Sequence, residues 1–271
     1  MNINNEEEFR LLTFNTYDRK IDDENNENND EKEKNMDNKK YKKKVSKEFI
    51  VQMFGINEQG KTASIFVEDY LPFFYAKVDN KWKEQDKLEF ILKIKNDLGD
   101  YYDDAIVKSK LIKKKKLYGF DGEQSHSFIL IQFKNEAAMK KAKNLWYDSS
   151  VADNGEYKKL LKPNGYHDSV LYEAQIPPLL RLFHIKEISP SGWISLPNKM
   201  VTKHKIHTTS CDYEFTIKFK DIISLPKKET IVPYKICSFD IEASSSHGDF
   251  PLPKKNYIKL ATNITDLFIN K

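Results

Sequence analysis

Short apolar runs separated by polar turns open the chain and predict a set of strands. The first runs lie at Phe9–Tyr17, Glu48–Ile56, Ala63–Val67 and Phe73–Val78. Runs of this length between turns are typical of strands, whose side chains point alternately to the two faces of a sheet. Asn57–Lys61, which contains a glycine, separates the second run from the third and predicts a hairpin.

Helical spacing first occurs after these strands. Leu88, Ile91, Leu92 and Leu98 share one predicted helix face within Asp86–Leu98, which ends before a glycine. Further along we predict strands at Ala105–Ile112 and Ser127–Phe133, followed by a helix that Asn135 caps and that has Met139, Ala142 and Trp146 on one face. A second helix starts at a proline within Ile176–Phe183. The last predicted strands are Gly192–Leu196, Tyr213–Phe219 and Tyr234–Ile241. With one more strand, the order over residues 73–146 would be the split βαβ, ferredoxin-like arrangement.

The segment from Asp18 to about Lys47 is almost free of apolar side chains and is dense in Asn, Asp, Glu and Lys. Such a segment cannot bury enough surface to offset its chain entropy. Because strand-like sequence resumes at once after it, we predict a disordered insertion at 18–47 within a folded domain.

Length and composition narrow the class of protein. The chain has 271 residues, enough for about two domains, and a net charge of +4, which permits nucleic-acid binding without requiring it. Its two cysteines, Cys211 and Cys237, cannot make a disulfide framework, which favours a reducing, intracellular compartment. Met1–Phe9 lacks the features of a signal peptide, and no apolar run approaches the ~18 residues of a membrane span. We therefore expect no membrane association.

Two acids at the end of the last predicted strand are candidates for chemistry. Asp240 and Glu242 are two positions apart, so in a strand they would project from the same face. Paired carboxylates can bind Mg²⁺ or Mn²⁺, and a two-metal site can cleave a phosphodiester bond. The spacing alone is a weak signal, because it recurs in this chain at Asp22/Glu24, Asp121/Glu123 and Asp212/Glu214.

The sequence around these acids resembles a known family. Pro233–Pro251 reads PYKICSFDIEASSSHGDFP and is similar to the first exonuclease motif of delta-like family B DNA polymerases, in the form found in large nucleocytoplasmic DNA viruses. Tyr172–Trp193 resembles the block that precedes the exonuclease in that family. Phe54–Tyr75 and Lys116–Phe128 resemble segments of the viral members. Taken together, the likeness covers nearly the whole chain apart from the insertion.

The resemblance implies an α+β fold. An N-terminal domain of OB-like and ferredoxin-like βαββαβ parts would occupy 1–228, and the first strand of a ribonuclease-H-like 3′→5′ exonuclease domain would lie in 229–271. By position, Asp240 and Glu242 match catalytic, metal-binding acids of the first exonuclease motif, with Mg²⁺ or Mn²⁺ as the cofactor of the intact enzyme. The other exonuclease acids and the palm aspartates would lie beyond residue 271. We therefore expect the chain alone to be inactive and its C-terminal part to be poorly packed.

The resemblance also implies partners. Primer–template DNA and nucleotides are expected for the intact enzyme, with the remaining polymerase polypeptide if the enzyme is split, and a sliding clamp as a further candidate. A viral replication compartment in the host cytoplasm, or the nucleus, is the expected location.

The densest basic cluster outside the insertion is a set of six lysines: Lys108, Lys110, Lys113, Lys114, Lys115 and Lys116. They are candidates for contacts with DNA phosphates, and the solvated end of a hairpin is the alternative explanation. Phe73, Phe74 and Tyr75 could stack on bases, although packing in the core is the favoured interpretation.

Two other sets of residues are interpreted as structural. His204, His207 and Cys211 lack a fourth ligand and therefore do not predict a zinc site. Tyr172 and Arg181 are expected to help join the N-terminal and exonuclease domains.

Three hypotheses about function remain open. The first is a truncated or split polymerase that keeps a DNA-binding N-terminal part and the start of the proofreading exonuclease. The second is a stand-alone module that binds single-stranded nucleic acid or a replication partner. The third is a gene fragment without a function.

Overall fold

The computed structural model describes residues 6–21, 46–116, 121–147, 166, 169–240 and 257–269. The chain divides into two compact units, Met1–Pro233 and Tyr234–Lys271. The strands, all in the first unit, are β1 (Glu6–Lys20), β2 (Lys47–Ile56), β3 (Thr62–Glu68), β4 (Phe73–Val78), β5 (Ile106–Lys115), β6 (Ser125–Phe133), β7 (Val170–Tyr172), β8 (Trp193–Pro197), β9 (Val201–Lys203), β10 (Tyr213–Lys218) and β11 (Ile223–Leu225). The helices are α1 (Glu84–Leu98), α2 (Glu136–Lys143) and α3 (Pro178–Lys186) in the first unit, and α4 (Ile258–Ile269) in the second.

The larger sheet of the first unit has seven strands in the order β11-β8-β1-β2-β3-β10-β9. Strands β1, β2 and β3 form an antiparallel meander, β8 pairs antiparallel with β1, and β10 pairs parallel with β3. Its buried side chains include Phe9 of β1, Ile65 of β3 and Phe215 of β10, and α3 adds Leu182 and Phe183. This sheet and α3 therefore enclose one hydrophobic core.

The smaller sheet has four antiparallel strands in the order β5-β6-β4-β7. Its elements follow one another in the chain as β4-α1-β5-β6-α2-β7. One sheet face packs on the two helices, because Phe74 of β4 and Ile129 of β6 share a buried cluster with Phe90 and Ile94 of α1 and Met139 of α2. This second core is separate from the first.

Polar contacts join the two sheets. The Asp18 carboxylate of β1 accepts hydrogen bonds from the backbone N–H groups of Glu136 and Ala137, each at 3.0 Å, at the start of α2. The Asn135 side chain donates to the carbonyl of Lys47 at 3.0 Å. A carboxylate at a helix N-terminus stabilises the exposed N–H groups and the helix dipole. Asp18 therefore ties the larger sheet to a helix of the smaller one.

This contact corrects the edges of the predicted insertion. Residues 18–20 continue β1 and residue 47 begins β2, with Asp18 paired to Phe49 and Lys20 paired to Lys47. Arg19 also forms ion pairs with Glu48 and Glu68. Cross-strand charge pairs hold polar sequence in a sheet where composition alone predicts disorder. Residues 22–45 of the predicted insertion lie outside the described residues.

Most of the predicted elements are confirmed in the first unit, with boundaries that move by a few residues. The Asn135 side chain accepts from the backbone N–H of Ala138 at 2.8 Å and caps α2 as predicted. The predicted face of α1 is right for Ile91 and Leu98, which are buried, and wrong for Leu88 and Leu92, which are 53% and 59% exposed. Phe90 and Ile94, each two positions along from an exposed leucine, complete the buried face.

The predicted strand at Tyr234–Ile241 is wrong over its described part. Residues 231–240 have no regular secondary structure, and Ile236 is 91% and Phe239 77% exposed. A buried strand needs neighbouring strands to pair with its backbone groups. None of the described strands pairs with this segment, which agrees with the expectation of a poorly packed C-terminal part.

The second unit contributes one described helix, α4, with no buried residue. Across the residues that the structure describes, no helix combines the length and the apolar character needed to cross a membrane.

The two faces of α1 generate a test of the fold. Ile94→Ala removes a fully buried side chain and should lower the free energy of unfolding by about 2–5 kcal/mol. Leu92→Ala, on the exposed face of the same helix, should change it by less than about 0.5 kcal/mol. Urea denaturation followed by tryptophan fluorescence measures both, and equal losses would contradict this placement of α1.

Candidate nucleic-acid interface

Five of the six lysines of the cluster lie within β5, at the edge of the smaller sheet, and Lys116 follows its last residue. β5 pairs with β6 on one side only, and Lys108, Lys110 and Lys113 to Lys115 all belong to the paired region. The alternative explanation, the solvated end of a hairpin, stays open, because Lys113 to Lys115 are the exposed last residues of β5 in the β5–β6 hairpin. Backbone pairing with β6 extends the strand through Lys115, whereas the sequence predicted that it would end at Ile112, before the run of lysines.

The six lysines differ in their contacts. Lys114 Nζ lies 3.2 Å from the Tyr75 hydroxyl and 4.9 Å from the centre of its ring. Lys115 pairs with Glu123 at 2.8 Å, and Lys116 pairs with Asp121 at 3.2 Å. The other three, Lys108, Lys110 and Lys113, are exposed and make no ion pair with any residue that the structure describes. These three are the cations available to an outside anion.

A charged network fixes the end of the β5–β6 hairpin. The Asp121 carboxylate lies 2.5 Å from His126 Nε2 and 3.2 Å from Lys116 Nζ. The hydrogen bond with His126, and then that with Lys116, hold the pKa of Asp121 below its usual value. The network keeps Lys116 half-buried and engaged within the hairpin, so it is a poor candidate for a DNA contact.

The sheet face opposite the helices carries aromatic side chains. The Tyr75 ring is 5.6 Å from Phe73 and 6.3 Å from Phe128, and Phe128 is 5.2 Å from Tyr172. Tyr75 is only 8% and Phe128 4% exposed. Edge-to-face packing accounts for this row, and Phe74 is fully buried on the other face. Core packing, the favoured interpretation of residues 73–75, is confirmed for Phe74 and Tyr75.

Tyr172 and Arg181 both contact this face within the first unit. Tyr172 pairs with Tyr75 between β7 and β4, and the Arg181 guanidinium lies 5.3 Å from the centre of the Phe73 ring. Arg181 also forms an ion pair with Glu173, whose backbone has a positive φ of 61°. The predicted role of Tyr172 and Arg181 in joining the exonuclease part stays a prediction.

The predicted catalytic acids are only partly described. Asp240 is exposed and follows the irregular segment after Pro233, while Glu242 lies outside the described residues. Within the described ranges, no three His, Cys, Asp or Glu residues are grouped so that they could hold a metal ion. The motif itself supplies a pair of carboxylates, which is an oxygen donor set suited to Mg²⁺ or Mn²⁺.

The histidines considered for zinc make protein contacts. His204 Nε2 lies 2.8 Å from the Thr216 hydroxyl, and the two ring nitrogens of His207 lie 3.2 Å from the carbonyl oxygens of His204 and Cys211. These residues belong to a basic segment between β8 and β10 that no sequence motif indicated. A signal for it was present in the sequence, namely the absence of Asp and Glu from residues 198–211.

Comparison with known proteins decides the family. A family model described as DNA polymerase family B, exonuclease domain, matches residues 169–265. The chain is 49% identical over 265 residues to a DNA polymerase of Phaeocystis pouchetii virus, an alignment that covers 96% of this chain and 24% of that protein. The chain belongs to the family B DNA polymerases.

Other relatives extend the family from viruses to cells. A DNA polymerase of Acanthamoeba polyphaga mimivirus is 32% identical over 75% of this chain and 12% of its own length. The DNA polymerase delta catalytic subunit of Schizosaccharomyces pombe is 28% identical over 79% of this chain and 19% of its own length. The family B chain thus spans a quarter or less of the length of these relatives.

The Asp121 network predicts a defined response to pH. Because the pKa of Asp121 is lower in the folded chain than in the unfolded one, its stabilising contribution is present above the ordinary aspartate pKa. That contribution disappears as the pH falls through the lowered value. His126→Ala should raise the pKa of Asp121 towards its ordinary value, measured by NMR titration of the carboxyl carbon. Lys115→Ala, which removes the neighbouring pair with Glu123, is the control and should leave it in place.

Proposed function

We propose that this chain is the DNA-binding N-terminal part of a replicative DNA polymerase together with the start of its 3′→5′ proofreading exonuclease, acting in viral DNA replication. The main support is the family match over residues 169–265, a range that includes both Asp240 and Glu242. The viral DNA polymerase that is 49% identical supports the viral setting, and with it a replication compartment in the host cell.

An OB-like part and a ferredoxin-like part are proposed within the first unit. An OB fold is a five-stranded Greek-key barrel. The meander β1-β2-β3, the return of β8 to β1 and the parallel pairing of β10 with β3 support such a barrel. The element order β4-α1-β5-β6-α2-β7 with strand order β5-β6-β4-β7 supports the split βαβ arrangement. The ferredoxin-like part would then be an insertion in the OB-like part.

The exonuclease part is proposed to begin near residue 229. The division of the chain between Pro233 and Tyr234 supports a boundary in this stretch. Lys228 belongs to the first unit, because its ammonium lies 4.1 Å from the centre of the Trp193 ring and 2.6 Å from Glu58. Val232 is also buried there, beside Trp193. Lys228 and Val232 are therefore both held on the larger sheet beside the proposed boundary.

In the proposed exonuclease, Asp240 and Glu242 are the first two acidic ligands. Their oxygen donors suit Mg²⁺ or Mn²⁺, and such ions, when bound, activate a water and stabilise the leaving oxygen. Asp240 and Glu242 would project from one strand face and would hold the metal ions next to the 3′ end of the DNA. Their pairing on one strand requires the sheet partners that the described residues do not provide.

On the first unit, the exposed lysines of β5 are proposed to contact DNA phosphates. Lys108, Lys110 and Lys113 present ammonium groups along one edge strand, and each can neutralise a phosphate. Lysines on an edge strand also discourage pairing with another chain, which is a sufficient structural reason for their presence. The two roles differ in one measurable respect, because only binding to DNA phosphates gives these lysines an effect on the salt dependence of DNA affinity.

The β5 lysines are tested on the purified chain. The triple variant Lys108→Gln, Lys110→Gln and Lys113→Gln should weaken binding to primer–template DNA. It should also reduce the slope of log affinity against log salt by about 2.7, because each duplex phosphate that a lysine neutralises contributes about 0.9. Fluorescence anisotropy measures both. Lys81→Gln, at an exposed lysine before α1, is the control for the loss of a positive charge outside β5. A triple variant with the slope of the native chain would leave edge protection as the only role.

The exonuclease assignment is tested by 3′-nucleotide release. The chain alone should release no nucleotide from a 3′-labelled strand above background, with or without Mg²⁺. In a longer polymerase polypeptide that contains this chain, Asp240→Ala and Glu242→Ala should each abolish release while DNA binding persists. Release by the chain alone at proofreading rates, abolished by Asp240→Ala, would contradict the proposal.

A stand-alone nucleic-acid-binding module is the second candidate. Residues up to Pro233 form a compact unit that contains two hydrophobic cores of its own. Such a unit could bind a single strand without the rest of a polymerase. The same two cores argue against a gene fragment that cannot fold.

A further inference from the structure

A second basic surface lies far along the sequence from β5. Residues 198–212, here called the basic loop, join β8 to β10 and include the short strand β9. Residues 198–211 contain three lysines and two histidines, and no Asp or Glu. Lys199, Lys203 and Lys205 are all exposed. Apart from Asp212 at its end, the loop therefore presents only positive charge.

The two acids nearest the lysines, Asp212 at the end of the loop and Glu214 in β10, are both engaged by hydrogen bonds. The Asp212 carboxylate accepts from the backbone N–H of Thr62 at 2.9 Å and pairs with Lys61 at 2.9 Å. These contacts, the backbone hydrogen bond first, lower the pKa of Asp212 to about 2. The Asp212 carboxylate is thus engaged by Lys61 and Thr62, at the start of β3.

Glu214 of β10 anchors the loop by accepting hydrogen bonds from it. Its buried carboxylate accepts from the backbone N–H groups of Thr208, at 3.0 Å, and Thr209, at 3.2 Å, and from both threonine hydroxyls at 3.1 Å. Burial would raise the pKa of Glu214, but these hydrogen bonds together lower it. The Glu214 carboxylate therefore holds the loop in place, while the lysines of the loop remain exposed to solvent.

The loop is also held in one shape. The ring nitrogens of His207 lie 3.2 Å from the carbonyl oxygens of Cys211 and His204, and the ring N–H that donates to one of them helps to close the turn. The backbone N–H of His204 donates to the carbonyl of Glu214 at 2.9 Å. A loop that is ordered before binding loses less conformational entropy when it takes up a ligand. Solvation of the lysines alone does not require such a scaffold.

Two apolar side chains stand out beside the lysines. Met200 is 58% and Ile206 86% exposed. Lysines interleaved with apolar groups match a single strand, which offers phosphates together with unstacked bases, better than a duplex, which offers mainly phosphates. In the proposed OB-like part the basic loop joins the fourth strand to the fifth, and OB folds use this loop to bind oligonucleotides.

We propose that the basic loop binds a single strand of nucleic acid. Lys199 and Lys205 contact successive phosphates, and Met200 and Ile206 contact bases or sugars between them. The proposal rests on the proposed DNA-binding function and adds to it a surface that shares no residue with β5. Lys203 holds the base of the loop, since its ammonium lies 4.4 Å from the centre of the Tyr213 ring.

The test uses the whole chain and a fluorescein-labelled oligothymidylate of about 15 nucleotides, close to the upper site size of an OB fold. Anisotropy gives the affinity over a series of salt concentrations. The double variant Lys199→Gln and Lys205→Gln should reduce the slope of log affinity against log salt by about 1.4, because each phosphate contact on a single strand contributes about 0.7. Ile206→Ser should weaken binding by the same factor at every salt concentration and leave the slope unchanged.

The matched control is Lys81→Gln with Lys141→Gln, which removes the same charge from exposed lysines outside the loop. Its slope should equal that of the native chain. A loop double variant that behaves like this control would overturn the proposal. Displacement of the strand by an oligoglutamate as effectively as by unlabelled oligothymidylate would also overturn it, since the surface would then suit acidic protein segments.

Failure of the proposed function has a different signature. If the native chain binds neither the single strand nor primer–template DNA, DNA binding by this chain is refuted and the loop proposal with it. If the β5 triple variant weakens duplex binding while the loop variants change nothing, the loop proposal alone is refuted.

Discussion

The pairing of β1 with β8 is the constraint on which the first unit depends. It joins residues nearly the whole length of the unit apart, as the hydrogen bond between Ser195 and Glu6, 189 positions away, shows. The parallel pairing of β10 with β3 spans a similar separation. The chain from β4 to β7 lies between the strands of each pairing, so it leaves the larger sheet after β3 and returns to it with β8. The smaller sheet can do so because it encloses a hydrophobic core of its own.

Local patterns were sufficient to predict elements that carry their own signal. The hairpin after Ile56, the cap at Asn135 and the proline start of α3 depend on contacts between near neighbours, so the sequence shows them directly. The full buried face of α1 could not be obtained in this way. Leu88 and Leu92 satisfy the same spacing as Phe90 and Ile94, and only packing against β4 and β6 determines which pair is buried.

The remaining errors come from interactions between distant segments. β7, β9 and β11 have three residues each and exist because a longer strand offers its edge. Asp18 and Arg19 have the composition of a disordered segment, yet a helix N-terminus and two glutamates stabilise them in β1. The opposite error occurs at residues 234–240, where apolar sequence predicts a strand that no described strand pairs with. The spacing of the candidate acids recurs elsewhere in the chain, so only the likeness of this segment to a family motif distinguished Asp240 and Glu242.

In two places on the first unit, a carboxylate is engaged by hydrogen bonds while lysines close to it in the sequence are exposed. At the β5–β6 hairpin, Asp121 is engaged by His126 and Lys116, and Lys110 and Lys113 remain outside. In the basic loop, Glu214 is engaged by threonines from below, and the lysines again face solvent. A carboxylate satisfied by hydrogen bonds can stay charged inside the fold, whereas unpaired ammonium groups avoid the cost of burial only at the surface. At these two places the engaged carboxylates fix the local structure, and the exposed ammonium groups beside them remain available to an anion.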